Sequence, residues 1–142
     1  MRIVRHCLFP WLAALWLAAS AARGADVKVI ANPSVRMSEI TAEEIRGVFL
    51  ATKVSLSDGS RVEPVLLQSG PIHETFVKLY LGKTESALET YYRSLVFTGK
   101  ALMPIALPSE AAVVAYVAKT RHAVGYVSAA AGLAGVKTLE VK

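Results

Sequence analysis

Ser69 and Gly70 lie where the apolar run Val65–Leu67 gives way to a stretch that begins with Pro71. Proline is favoured in the first turn of a helix, so a helix is predicted to start here. The free N–H groups and the positive dipole end of a helix start can bind an anion. Serine is also a common helix cap. Two roles therefore remain open for Ser69: it caps the helix, or it binds an anion together with Gly70.

Two further stretches carry groups that could bind an anion. Thr98, Gly99 and Lys100 offer a hydroxyl, a glycine N–H and a positive charge, and the lysine would act as a point charge. Ser34 and Arg36 follow the first predicted strand, and ligands of open α/β sheets collect at the carboxyl ends of strands. The alternative for both stretches is ordinary turn chemistry, with Lys100 as a solvated loop lysine.

The same residues give little support to a catalytic role. Ser69 and His73 are four positions apart and Glu74 is adjacent, but no G-x-S-x-G motif surrounds the serine. His73 is expected on the solvated face of its helix, and His122 in a turn before a strand. Neither histidine has carboxylates or thiols at the spacing of a metal site. We therefore expect a protein that is not an enzyme and that has no cofactor or metal.

Strands and helices alternate along the chain, which favours a three-layer α/β domain with a mostly parallel sheet. The predicted strands lie within residues 27–34, 62–68, 123–128 and 136–142. Four helices are predicted to begin at Pro71 and at the caps Thr41, Thr84 and Ser109. Residues 98–108 contain two prolines and are expected to be a connection.

Helical spacing predicts the buried faces of the second and third helices. The second would bury Ile72, Phe76, Leu79 and Tyr80, and the third would bury Leu88, Tyr91 or Tyr92, Leu95 and Val96. Tyr126, beside Gly125, is expected to pack in the core.

The first 24 residues have the pattern of a cleaved secretory signal peptide. Two arginines precede an uncharged apolar stretch from Leu8 to Ala22, and small residues close it. The alternative is an uncleaved membrane anchor, for which the stretch is short. Cleavage after Gly24 leaves 118 of the 142 residues, without Cys7, the single cysteine. The formal charge falls from +5 to +2, so no basic block remains to bind nucleic acid.

Three stretches in sequence order resemble the periplasmic substrate-binding proteins of phosphate ABC transporters, and especially short, single-lobe versions of them. They are FLATKVSLSDGSRVEPVLLQSG (49–70), FTGK (97–100) and AVGYV (123–127), and helices separate them. The resemblance covers nearly all of the chain after the signal.

Several positions depart from the family pattern. Ala51 and Thr52 occur where it prefers Gly-Lys, and Leu56 occurs where it prefers tryptophan. Full-length relatives hold the anion with an Arg-x-x-x-Ser-Gly-Thr motif. Ser69 and Gly70 match its Ser-Gly pair, whereas Val65 and Pro71 replace its arginine and threonine.

The resemblance implies a periplasmic-binding-protein-like lobe over residues 25–142, located in the periplasm. It would bind a small oxyanion such as phosphate weakly, and a membrane transporter is a possible partner. The candidate anion-binding residues are Ser69, Gly70, Thr98, Gly99, Lys100 and Ser34. The alternative hypothesis is a lobe that has lost its ligand and contacts an envelope protein. It would do so through a sheet edge or through the apolar segment ALMPIAL (101–107).

Overall fold

The computed structural model describes residues 26–142, and the predicted signal peptide lies outside this part of the chain. The described residues form six strands and four helices in an α/β arrangement. In order, they are β1 (Val27–Ala31), β2 (Glu39–Ile40), α1 (Ala42–Phe49), β3 (Glu63–Leu67), α2 (Pro71–Phe76), α3 (Glu85–Phe97), β4 (Ile105–Leu107), α4 (Glu110–Lys119), β5 (Ala123–Ser128) and β6 (Lys137–Val141). Within residues 26–142, none of the helices has the length and apolar character that crossing a bilayer requires.

The strands form one mixed sheet in the order β2-β6-β1-β5-β3-β4. The pairs β2–β6, β3–β5 and β3–β4 are parallel, and β1 is antiparallel to both of its neighbours, β5 and β6. Five strands therefore run in one direction and β1 runs against them. The predicted α/β fold with a mostly parallel sheet is confirmed.

Helices cover both faces of the sheet, as neighbouring residues of β5 show. The side chains of Val113 and Val117 in α4 pack so closely on Gly125 that a Cβ there would lie 2.9 Å from Val113. On the opposite face, the Tyr126 ring stacks on Phe76 of α2 with ring centroids 3.7 Å apart. Because successive strand residues point to opposite faces, this contact pattern defines three layers.

The structure confirms the three predicted helix caps at Thr41, Thr84 and Ser109. Thr41 and Glu44 form a reciprocal capping box at the start of α1. Thr84 and Ser109 accept hydrogen bonds from the N–H groups three residues on, at the starts of α3 and α4. These caps depend on residues three positions apart, which is why local sequence is enough to predict them.

The predicted stripe of the second helix is wrong at Leu79, which is 66% exposed. After α2 the helix continues as a π-helical turn, Val77–Leu81, and ends at Gly82 in the left-handed conformation. The wider turn moves the inward face, so Val77 and Leu81 are buried instead. Val96, predicted to be buried in α3, is also exposed.

The connection predicted at residues 98–108 contains a strand, β4, which pairs in parallel with β3 at the edge of the sheet. It is three residues long and lies between Pro104 and Pro108. Pro64 is paired with Val124 of β5. The neighbouring Glu63 N–H donates to the His122 carbonyl on that side, and pairing with β4 on the other side begins only at Val65.

Candidate functional site

The Ser69–Gly70 pair lies directly after β3, where the chain turns into α2. Gly70, not Ser69, is the residue before the helix, and no side chain caps this helix start. The capping role that the sequence left open for Ser69 is therefore wrong. Gly70 has a φ of +104°, and a Cβ added there would meet no atom within 4 Å. The start of α2 is thus uncapped and open.

The segment Thr98–Lys100 ends α3. The Thr98 hydroxyl donates a hydrogen bond to the carbonyl of Ser94 at 2.8 Å, and the Lys100 N–H donates to the carbonyl of Leu95 at 2.9 Å. Gly99 takes a left-handed conformation with a φ of +69°. The opposite end of α3 lies near α2, and 13 helical residues span about 20 Å. The structure therefore does not bring this segment to Ser69.

Ser34 lies at the other end of the sheet. Because β1 runs against its neighbours, its carboxyl end meets the amino ends of β5 and β3. There the Ser34 hydroxyl oxygen accepts a hydrogen bond from the N–H of His122 at 2.9 Å. The Asn32 side chain donates to the carbonyl of Val117 at 2.8 Å. Ser34 thus takes part in the turn before β5, apart from Ser69 and Gly70.

A buried polar chain that the sequence did not reveal lies beneath the start of α2. The Tyr126 hydroxyl accepts a hydrogen bond from the N–H of Leu67 at 3.1 Å and lies 2.5 Å from Nδ1 of His73. His73 Nε2 is 3.9 Å from Oε1 of Glu85, the first residue of α3. These groups link β3, β5, α2 and α3 at the carboxyl end of the parallel strands.

The tautomer of His73 determines which of its ring nitrogens donates a hydrogen bond. Among the hydrogen bonds of residues 26–142, Nδ1 of His73 is the acceptor available to the Tyr126 proton. In a neutral imidazole the other nitrogen then carries the hydrogen. Burial lowers the pKa of His73, while Glu85 and Glu74 act in the opposite direction. With the Tyr126 hydroxyl donating to Nδ1, a neutral His73 carries its hydrogen on Nε2, the nitrogen that lies 3.9 Å from Glu85 Oε1.

His73 and Glu85 line a cavity of about 430 Å³ between α2, α3, β3 and β4. Its wall contains the apolar side chains of Leu66, Leu88 and Met103, and Gln68 lies at the end of β3. Within residues 26–142, no group of three metal-binding side chains is present. We call this space the His73 cavity.

The expected position of His73 on a solvated helix face is wrong, because the residue is buried. Phe76 and Val77 follow it by three and four positions, which places all three on one side of a helix. This spacing is visible in the sequence and indicates that His73 lies on the buried side of the helix. The expectation that Tyr126 packs in the core is confirmed, since it is fully buried.

The fold is that of phosphate ABC transporter substrate-binding proteins. An ABC-type phosphate transport receptor from Vibrio cholerae matches 82% of this chain with a TM-score of 0.63 and 13% identity. PstS from Borrelia burgdorferi matches 82% with a TM-score of 0.62 and 14% identity. A Clostridium perfringens structure with bound phosphate matches 82% with a TM-score of 0.61 and 14% identity.

The match covers 46%, 47% and 44% of those three structures, so the chain spans a little under half of their length. No protein-family model matches the sequence. A search of curated proteins finds no match either. The similarity is therefore one of fold, and the resemblance seen in the sequence motifs is confirmed at that level.

Proposed function

We propose that this chain is an exported, non-enzymatic solute-binding lobe that binds a small oxyanion such as phosphate weakly, for handover to a membrane transporter. The signal peptide at residues 1–24 would direct the domain 25–142 to the periplasm. The observation that carries the proposal is the uncapped start of α2, at the carboxyl end of a parallel strand, in a chain with the fold of phosphate-binding proteins.

The donors at this site account for weak binding. The N–H groups of Ile72 and His73 lie in the first turn of α2, where no side chain caps them. Ser69 lies three positions before Ile72, and its hydroxyl is a further possible donor. Each hydrogen bond to an anion contributes about 1.5–3 kcal/mol. Pro71 lacks an N–H, and Val65 replaces the family arginine. We therefore expect a Kd in the millimolar-to-micromolar range.

Thermal unfolding with and without about 5 mM phosphate, at fixed ionic strength, tests this proposal. At 5 mM, phosphate stabilises the folded state by about 2.7 kcal/mol for a Kd of about 50 μM and by about 1 kcal/mol for a Kd of about 1 mM, which raises the Tm by several degrees. Ser69→Ala should reduce the rise. Ser94→Ala, an exposed serine on α3, should leave it unchanged. A rise that sulfate reproduces would support a general oxyanion site, and no rise with either anion would contradict the proposal.

An exposed apolar surface supports the second candidate function, an interaction module that partners an envelope protein. Phe97 is 92% exposed and Leu102 is 89% exposed. Met103 and Ile105 are exposed as well, and Ile105 belongs to the edge strand β4. A partner strand paired with β4 would cover these side chains and satisfy the open edge.

Site-specific cross-linking in envelope extract tests this candidate. A photo-reactive residue at position 97 should yield one defined product, whereas the same residue at position 54 should not. Val54 is a suitable control because it is an exposed apolar residue outside this surface. The same products from both positions, or none from position 97, would contradict the interaction module.

A further inference from the structure

Two facing polar groups in the His73 cavity lack a direct hydrogen bond to each other. The His73 side chain is only 8% exposed, and its Nε2 is 3.9 Å from Glu85 Oε1. Oε1 of Glu85 is buried without a hydrogen-bond partner among residues 26–142, although the Glu85 side chain as a whole is 37% exposed. Buried polar atoms nearly always have a partner. The pair therefore calls for a third group between them.

The chemistry of the pair determines what that group must be. In the tautomer in which Tyr126 donates to Nδ1, Nε2 of His73 carries the hydrogen, so the group must accept a hydrogen bond from Nε2 and donate one to the Glu85 carboxylate. A hydroxyl does both. An ammonium group cannot accept. Hydrogen phosphate has acceptor oxygens and a P–OH donor, but Glu85 and Glu89 in the cavity wall would repel its negative charge. An oxygen about 2.8 Å from each atom fits the 3.9 Å gap.

The size and walls of the cavity favour a molecule larger than water. Its volume of about 430 Å³ exceeds the roughly 30 Å³ of one water and lies in the range of small-ligand sites. Leu66, Leu88 and Met103 offer apolar contacts for carbon atoms. Gln68 and Ser86 add polar groups for further hydroxyls.

We infer that the His73 cavity binds a small neutral polyol, one hydroxyl of which bridges His73 Nε2–H and Glu85 Oε1. The Tyr126 hydroxyl holds the histidine ring from its other nitrogen, so the donor is oriented before the ligand arrives. This site uses the side chain of His73, whereas the proposed oxyanion site at the start of α2 uses its backbone N–H. It differs in chemistry because its charged groups, Glu85 and Glu89, are acidic.

The test is a titration of the histidine-labelled protein with glycerol and myo-inositol to about 50 mM, well above a millimolar Kd, followed by NMR of the imidazole signals. The His73 ring signals should shift saturably. His122 should not respond, because it lies at the opposite end of the sheet, in the turn before β5. Inorganic phosphate should not displace the polyol, so phosphate binding at α2 succeeds or fails independently.

Two variants test whether the polyol binds through the Glu85 carboxylate. Glu85→Ala removes the acceptor and should weaken polyol binding about tenfold or more, while the Thr84 cap keeps α3 in place. Glu74→Ala removes an exposed carboxylate near His73 that does not line the cavity, and it should leave polyol affinity unchanged.

Three outcomes would overturn the inference. No shift with either polyol would mean that the cavity holds water only. A shift with methylammonium chloride but not with polyols would make it a cation site. Displacement of bound glycerol by phosphate would place the oxyanion in the cavity instead.

Discussion

Tyr126 occupies the place where β3 and β5 separate. The two strands are paired at Glu63–Ala123 and Pro64–Val124, and three residues later the Leu67 N–H bonds to the Tyr126 hydroxyl rather than to the β5 backbone. One side chain thus completes the hydrogen bonding of a strand end and also binds His73. The His73 ring lies beside this strand end, with Nδ1 2.5 Å from the Tyr126 hydroxyl.

Tyr126→Phe should lower the free energy of unfolding by about 1–3 kcal/mol, because it leaves a buried N–H and a buried ring nitrogen without their partner. Urea unfolding measures the change. Tyr80→Phe is the matched control, since the half-buried Tyr80 packs on the same Phe76 ring and its hydroxyl makes no hydrogen bond within residues 26–142. Equal losses in both variants would contradict the role of the Tyr126 hydroxyl.

His73 should make the folded state less stable as the pH falls below about 6.5. Burial holds its pKa in the folded state below the ordinary value of 6.5, against the opposing effect of Glu85 and Glu74. Between the two pKa values the unfolded chain binds a proton that the folded chain does not, so stability falls as the pH is lowered. The loss begins near pH 6.5 and ends once the pH is below the folded-state pKa.

Urea midpoints at pH 7.5 and pH 5.5 test this dependence. The wild-type midpoint should be lower at pH 5.5, and His73→Gln should reduce the difference because glutamine does not titrate. Glu44 contributes to the pH dependence of stability in a separate, more acidic range. Its capping hydrogen bonds lower its pKa below 4.5, so its stabilisation is lost only as the pH falls below that value. An unchanged pH dependence in His73→Gln would contradict the assignment to His73.

At the scale of the element, the π-helical turn after α2 decides which leucine enters the core. Leu81→Ala should cost about 2–5 kcal/mol, since Leu81 is fully buried. Leu79→Ala, two positions earlier in the same turn, should change stability by less than about 0.5 kcal/mol because the side chain is exposed. Urea unfolding of the two variants distinguishes this turn from a regular α-helix, which would bury Leu79 as the sequence predicts.

Elements that depend on nearby residues could be predicted from the sequence, and those that depend on distant partners could not. Thr41 and Glu44 are three positions apart, so the capping box was visible. β4 is a strand because Ile105–Leu107 pairs with Val65–Leu67, forty positions earlier. The Tyr126–His73 bond likewise joins residues 53 positions apart, and neither residue type alone indicates it.

At the scale of the whole molecule, the order of the sheet joins the beginning of the described chain to its end. β1 lies between β5 and β6, with Val27 opposite Ser128 and Val29 opposite Leu139. Alternation of strands and helices predicted the layers and the mostly parallel sheet. It could not predict the reversal of β1, because that depends on partners about a hundred positions away.

This topology should make refolding slow for a domain of this size. The central strand pairs only with distant segments, and mixed α/β domains with such pairing fold in roughly milliseconds to seconds. Stopped-flow tyrosine fluorescence of a protein that comprises residues 25–142 is suitable, because both tryptophans lie within residues 1–24. Refolding in microseconds would contradict the prediction.

The short strand β4 also limits the addition of further strands to this edge of the sheet. Pro104 and Pro108 have no N–H and bracket the strand, so an added strand finds only three residues, Ile105–Leu107, with regular pairing geometry. An edge of that length can accept one partner but offers too few hydrogen bonds to template the stacking of many copies. The molecule can therefore display Phe97 and Leu102 to solvent without offering a seed for fibrils.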